Sequence, residues 1–362
     1  MAPKTLETSP ESDRFEGTPH PRENYHCFGH AETEKQFALT YLAGRLPQAF
    51  IIGGPPGIGK ATLAWRLARF LLANPDPAAA AGEARGDLFV GPDHPVARQV
   101  AALAHPDLVL LRREWNEKDK RFFTEIRVED VRRAIHMFQQ AAGLGGYRIC
   151  ILDCAEDLNP SSGNALLKLI EEPPPRSLFL IVAHRPGRML ATLRSRCRKV
   201  VLKPLAAAAI GQFVAALGPP WSAAGEAKLA AAIARAHGSI HNVLRLLDNR
   251  GIELDTNLGR MLDDLPRIDW SKVHALADRV AARNNGNDYE TMLAAIGDWL
   301  DTRVRRGALT PEANCARLAP YALLWEKLSD AAREIETFNL DKRPFVLSLF
   351  ADLAAAARAS SS

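Results

Sequence analysis

Short apolar runs punctuate the chain at 49–52, 108–111, 149–152 and 178–183, most of them bounded by glycine, proline or aspartate. Runs of this length between turn signals read as buried strands. Between them, apolar positions recur three and four residues apart over 31–46, 61–72, 128–142 and 162–172, which predicts helices. Residues 124–128 read as one further strand. Gly44 and Pro47 close the first helix, and Pro173, Pro174 and Pro175 stop the last. Strands alternating with helices in this way predict a parallel sheet flanked by helices, an α/β domain.

Beyond Pro204 the pattern loses its strands and becomes alanine-rich and helical. Residues 206–217, 224–236 and 239–249 read as three short helices, with Pro219, Pro220 and Gly238 as punctuation and Trp221 as a packing anchor. From residue 251 apolar stripes recur at helical spacing: Tyr289, Met292, Leu293, Ile296, Trp299 and Leu300; Leu318, Tyr321, Trp325, Leu328 and Ile335; and Phe345, Leu347, Leu349, Phe350 and Leu353. Such stripes are the core of a helical bundle. Residues 1–23 are polar and proline-rich without periodicity and are expected to form a disordered tail. Residues 359–362 are expected to fray. The expected division is therefore a tail (1–23), an α/β domain (24–204), a small helical domain (205–250) and a helical bundle (251–362).

Composition adds bounds. The 362 residues exceed one ordinary core. A net charge of +4 permits contact with nucleic acid without demanding it. No apolar run approaches the roughly 20 residues that span a bilayer, and the first residues lack the apolar core of a signal peptide, so no membrane partner is expected. The five cysteines contain no C-x-x-C pair, which argues against a disulfide framework or a Cys₄ zinc site and for a reducing, cytoplasmic setting.

Candidate chemistry sits at two places. Gly54, Gly59 and Lys60 match G-x-x-x-x-G-K, with Gly57 inside the loop, a predicted strand before it and a predicted helix after it. Glycines let backbone N–H groups approach phosphates, the helix N-terminus favours anions, and Lys60 would reach the terminal phosphates. The residue after the lysine should carry a hydroxyl for Mg²⁺, yet here it is Ala61, and Thr62 is turned about 100° away on a helix. Downstream, the run 149–152 ends in Asp153, which fits an acid serving Mg²⁺ at a strand end. The position after it, where a carboxylate would orient water, holds Cys154. Glu156 and Asp157 are read as caps of the following helix.

Other residues carry weaker signals. His26, Cys27 and His30, and further on His94 and His105, lack the four-ligand grouping a zinc site needs, so no metal is expected. Residues 112–121, RREWNEKDKR, form a mixed-sign run that reads as a solvated hairpin or loop, with contact to DNA left open.

The ordered set FGHAE, GPPGIGKATLAWRLARFLL, ILDCAEDLN, NALLKLIEEPP and LRSRC resembles the AAA+ clamp-loader subunits of bacterial DNA polymerase III, over most of the chain from about Asn24 onward. The resemblance implies a P-loop AAA+ domain, a helical lid and a helical collar that holds subunits in a ring. It implies a loader assembled with gamma/tau and delta subunits that places the sliding clamp on primed DNA. The degenerate site implies a non-hydrolysing subunit, with no cofactor required and with ATP or ADP as the nucleotide the loop could hold. The four-cysteine zinc module of some members is absent between Cys27 and Cys150. In this family the Ser-Arg-Cys motif, here Ser195, Arg196 and Cys197, supplies an arginine finger to the neighbouring subunit's ATP. The lid's sensor arginine is replaced by His241, with Arg245 as a substitute four residues on. Two alternatives stay open: an active gamma/tau-like ATPase in which Thr62 and Glu156 compensate, and a stand-alone nucleic-acid-binding module.

Overall fold

The computed structural model describes residues 10–81, 87–140, 143, 145–248, 251–282, 286–308, 315–338 and 340–361. They form two compact units, one of Met1–Ala223 with Ala236–His241, the second of Ala224–Arg235 with Asn242–Ser362. The division passes through the segment 205–250.

The first unit alternates strands and helices. In chain order it contains α1 (Ala31–Leu42), β1 (Ala49–Gly53), α2 (Lys60–Ala73), α3 (Pro77–Ala81), α4 (Pro95–Ala101), β2 (Leu108–Leu111), β3 (Trp115–Asn116), β4 (Arg121–Phe122), α5 (Val128–Gln139), β5 (Arg148–Leu152), α6 (Pro160–Glu171), β6 (Ser177–Ala183), α7 (Ala191–Arg196), β7 (Arg198–Val201) and α8 (Ala207–Leu217). Five strands form one parallel sheet in the order β2-β5-β6-β1-β7. Strands β1, β5 and β6 are buried along their whole length, which is why they read as unbroken apolar runs. Ile51, Cys150, Leu152, Phe179 and Ile181 face a core shared with Val131, Ala134 and Phe138 of α5 and Leu166 and Leu169 of α6. Phe138 stacks on Phe179 with ring centres 5.0 Å apart. On the other face, Phe37 of α1 meets Phe50 edge-on at 5.0 Å.

Several boundaries differ from expectation for local reasons. Helix α1 stops at Leu42 rather than 46 because Gly44 adopts φ +65°. The Gly44 and Arg45 amides then donate to the Tyr41 and Thr40 carbonyls. Residues 124–128 contribute one isolated bridge, Ile126 to Leu158, not a strand. Strand β7 escaped the pattern because it is an edge strand whose residues are mostly exposed. The charged run does hold a hairpin, β3–β4, closed by Trp115 against Phe122.

The expected disordered tail is corrected for residues 10–23; residues 1–9 lie outside the described ones. Residues 20–23 form a short 3-10 turn capped by His20, and His20 and Arg22 are buried. Ion pairs join Glu11 to Arg22 and Arg112, and Asp13 to Arg112, while His20 Nε2 stands 3.0 Å from the Asp13 carboxyl. The pairs from Asp13 and Glu11 to Arg112, 99 and 101 residues on, therefore order what composition alone marks as loose.

The second unit is helical: α9 (Glu226–Arg235), most of α10 (Ile240–Leu247), α11 (Gly251–Asp263), α12 (Trp270–Ala281), α13 (Gly286–Ala308), α14 (Cys315–Phe338) and α15 (Lys342–Ser361). Tyr289, Met292, Ile296, Leu300, Tyr321, Leu328, Ile335, Leu349, Phe350 and Leu353 share one buried core, so the stripes read from the sequence do pack together. Residues 359–361 continue α15 rather than fraying; Ser362 lies outside the described residues.

Because Phe179 joins the central sheet to α5 and is 1% exposed, Phe179→Ala is expected to destabilise the chain by about 3–5 kcal/mol. A matching drop in the urea midpoint, with the second unit's transition unchanged, checks this.

Candidate nucleotide-binding site

Strand β1 ends at Gly53, and the glycine loop turns into α2 at the carboxyl ends of the parallel strands, where open α/β sheets bind ligands. The loop needs its glycines. Gly54, Gly57 and Gly59 take φ values of +143°, +73° and +94°. A Cβ at Gly54 would lie 2.8 Å from the Leu202 carbonyl oxygen, and one at Gly57 would collide with Ser239 and His241. Four successive loop carbonyls are held, one by the motif's own lysine and three from outside. Lys60 Nζ donates to Pro55 O at 2.5 Å, Ser239 Oγ to Pro56 O at 2.9 Å, and the Ile240 amide to Gly57 O at 2.8 Å, while His30 Nε2 bonds Ile58 O at 2.7 Å. His30, set aside as a metal ligand in the sequence, is thus a buried strut of the phosphate loop. His241 does stand against the loop, at Gly57. Arg245 is engaged elsewhere: its guanidinium donates to the Glu290 carbonyl at 2.8 Å inside the second unit.

Lys60 is buried at the start of α2, and that burial pushes its ammonium down to about 8, against the pull of Asp153, Glu156 and Cys154. Ala61 and Thr62 follow on α2, so no hydroxyl stands next to Lys60. Asp153 ends β5, its amide donating to Leu111 O at 2.9 Å. Burial raises its carboxyl to about 7; Asp13 and Asp157 push the same way, Lys60 and Arg112 the other. Burial, together with Asp157, Asp153 and Glu156, keeps the Cys154 thiol protonated. A neutral thiol cannot polarise water as a carboxylate does.

Glu156 and Asp157 are not helix caps. The Glu156 carboxylate accepts from the Arg185 amide, and Asp157 pairs with Arg113 at 3.1 Å. Helix α6 is capped by Asn159, whose Oδ1 accepts from the Ser162 amide at 2.8 Å. Next to Phe28, an open pocket of ≈ 300 Å³ is lined by Tyr25, His26, Phe28, Phe89, Phe213 and Leu217.

Arg196 lies at the other end of the sheet. It closes α7, and β7 pairs with β1 so that Arg198 stands opposite Phe50 while Val201 stands opposite Gly53. Arg196 therefore precedes the start of β1, whereas the phosphate loop follows its end, a separation of at least about 13 Å along the strands. Its Nη2 pairs with Glu171 at 2.6 Å and its Nη1 donates to Thr192 O at 3.0 Å, with the side chain 40% exposed. Ser195 is exposed and bonds the same Thr192 carbonyl, and Cys197 is buried in the core. The motif anchors Cys197 and leaves Arg196, just before it, half-exposed.

A parallel sheet in this order, a glycine loop between β1 and α2, and an acid at the end of β5 define a P-loop domain of the AAA+ type. Residues 29–206 match the family described as DNA polymerase III, delta subunit, and over that segment the chain is similar to it. DNA polymerase III subunit delta' of Pseudomonas aeruginosa is 36% identical over 167 residues, 45% of this chain and 46% of that protein. The Escherichia coli subunit of the same name is 33% identical over 171 residues, 47% of this chain and 46% of that one. The tau subunit of Escherichia coli is 27% identical over 318 residues, 82% of this chain and 46% of its own length. The chain spans about half the length of the curated relatives it matches. Among the described residues no helix is long and apolar enough to cross a membrane.

The perturbed acid gives a pH signature. The folded chain holds the Asp153 proton up to about pH 7, the unfolded chain only to about 3.8. The stability this contributes is full below 3.8 and is lost as pH rises through 7. Asp153→Asn abolishes the titration, so the variant is expected to gain on wild type between those values and to lead above pH 7. Urea midpoints across that range test it; parallel curves would refute the assignment.

Proposed function

We propose that this chain is the non-catalytic delta-prime subunit of the DNA polymerase III clamp loader. In this reading it sits beside a gamma/tau subunit, lends Arg196 to that neighbour's ATP, contacts delta, and helps load the sliding clamp on primed DNA in the cytoplasm. The observation that carries the reading is the opposition of Arg196 and the chain's own phosphate loop across β1. A guanidinium at the amino end of the strands cannot reach a phosphate held at their carboxyl end, but it is exposed to a second subunit. Its permanent charge and fork of donors suit the charge that develops on a transferring phosphoryl group. The weak exposed pair with Glu171 leaves it easy to recruit.

The chain's own site supports binding better than hydrolysis. The loop, Lys60 and the N-terminus of α2 can cradle the phosphates of ATP or ADP, which is not required for the role proposed. Asp153 is the residue left to serve Mg²⁺; when bound, the ion would polarise the phosphates. Ala61 offers it no ligand, and Cys154 offers water no base. Glu156 is a poor replacement, because its carboxylate already accepts from the Arg185 amide. The second unit would be the collar that closes the ring.

The test is ATP turnover by gamma/tau assembled with delta and this chain, in the presence of clamp and primed DNA. Arg196→Ala is expected to lower turnover at least about tenfold, given that such fingers are worth roughly 10³–10⁵ in other NTPases, while the complex still assembles. Turnover indifferent to the substitution in an intact complex would sink the finger.

A further inference from the structure

Residues 11–18 are held at two places beside the carboxyl ends of the strands, the side of the sheet that carries the phosphate loop. One end is tied down beside Asp153. Leu111 of β2 stands opposite Leu152 of β5, so Arg112 stands at the level of Asp153. Arg112 pairs through Nη1 with Asp13 and through Nη2 with Glu11 at 2.9 Å, and Ser12 Oγ donates to Arg113 O at 3.0 Å. The other end is tied down at the loop. The Phe15 ring meets His241 edge-on at 5.0 Å, and His241 is the residue packed against Gly57. Trp221 packs on Phe15 at 5.9 Å and donates from Nε1 to Gly17 O at 3.2 Å.

The segment is built rather than draped. Thr18 Oγ1 donates to Phe15 O at 2.8 Å and Arg14 Nε to Thr18 O at 3.0 Å, which closes a turn after the crossing. His20 is fully buried against Trp65 of α2 and pairs with Asp13 at 3.0 Å, with the Asp13 side chain only 5% exposed. Arg22 Nε donates to Ala101 O at 2.8 Å. Its two anchors thus stand at Arg112, level with Asp153, and at His241, which packs against the glycine loop. Asp13 also brings a carboxylate into electrostatic reach of Asp153, so its charge opposes a polyanion there.

We propose that residues 11–18 are an intramolecular strap that closes the phosphate-loop cleft of this chain, so that strap and nucleotide compete for one place. The proposal rests on the loop being a nucleotide site and is independent of any role of Arg196. A site that is open for only a fraction of the time binds with an affinity reduced by that fraction. Releasing the strap should therefore tighten binding without any new contact to the nucleotide.

The test is calorimetric binding of ADP and of Mg²⁺–ATP to the full chain, comparing wild type with Phe15→Ala and Asp13→Asn, each with and without Lys60→Ala. If the strap is closed about nine-tenths of the time, both strap variants bind about tenfold more tightly than wild type, and the gain vanishes with Lys60→Ala. Wild-type binding too weak to measure, beside measurable binding by the strap variants, supports the same conclusion. Equal affinity in wild type and both strap variants, or no binding by any of them, overturns it. Substituting Asp13 disturbs a buried ion cluster, so wild type supplies a second readout by hydrogen exchange. Saturating Mg²⁺–ATP is expected to speed exchange at residues 12–18 while slowing it in the phosphate loop. A protected loop with an unchanged strap contradicts the proposal.

Discussion

The parallel register of β1 between β6 and β7 is the constraint on which the first unit depends. Pairing Gly53 with Ala183 on one side and with Val201 on the other sets where the glycine loop leaves the sheet. It also fixes the start of β7, and with it the end of α7, at the opposite edge. One ladder of hydrogen bonds therefore separates the glycine loop at one end from Arg196 at the other. A domain arranged this way cannot bring its own arginine to its own nucleotide. In the role proposed above, it would do so only for a neighbouring subunit.

The shape of the phosphate loop is secured separately from the residues that hydrolysis would need. Its conformation is secured by groups outside the motif: His30 before α1, and Ser239 and Ile240 at the start of α10. None of these depends on the hydroxyl missing at position 61 or the carboxylate missing at 154. Shape is thus maintained by neighbours while reactivity is set by two side chains. Burial raises Asp153 and lowers Lys60, since both charges are costly to hold away from water.

Legibility in the sequence followed burial. Strands β1, β5 and β6, covered on both faces, stand out as apolar runs, and the stripes of α13, α14 and α15 mark their core. Strand β7 has no such signature, because an exposed edge strand carries lysine and arginine as readily as valine. The glycine loop, Lys60 and Asp153 were visible because each needs a specific residue at a fixed spacing from a strand or helix end. The struts were not: His30 is a lone histidine whose partner is a backbone carbonyl 28 residues away. Nor was the packing of residues 10–23, since the pairing of Asp13 and Glu11 with Arg112 joins segments that nothing in local pattern connects. Glu156 and Asp157 were read as caps by proximity, whereas the cap went to Asn159, which sits at the N-cap position itself.

The most direct check on this account is Mg²⁺-dependent ATP turnover by the isolated chain, measured against Lys60→Ala as background. The account predicts that the two are indistinguishable, because no hydroxyl follows Lys60 and no carboxylate follows Asp153. Turnover well above the Lys60→Ala background would contradict it and would make the chain a working ATPase in its own right.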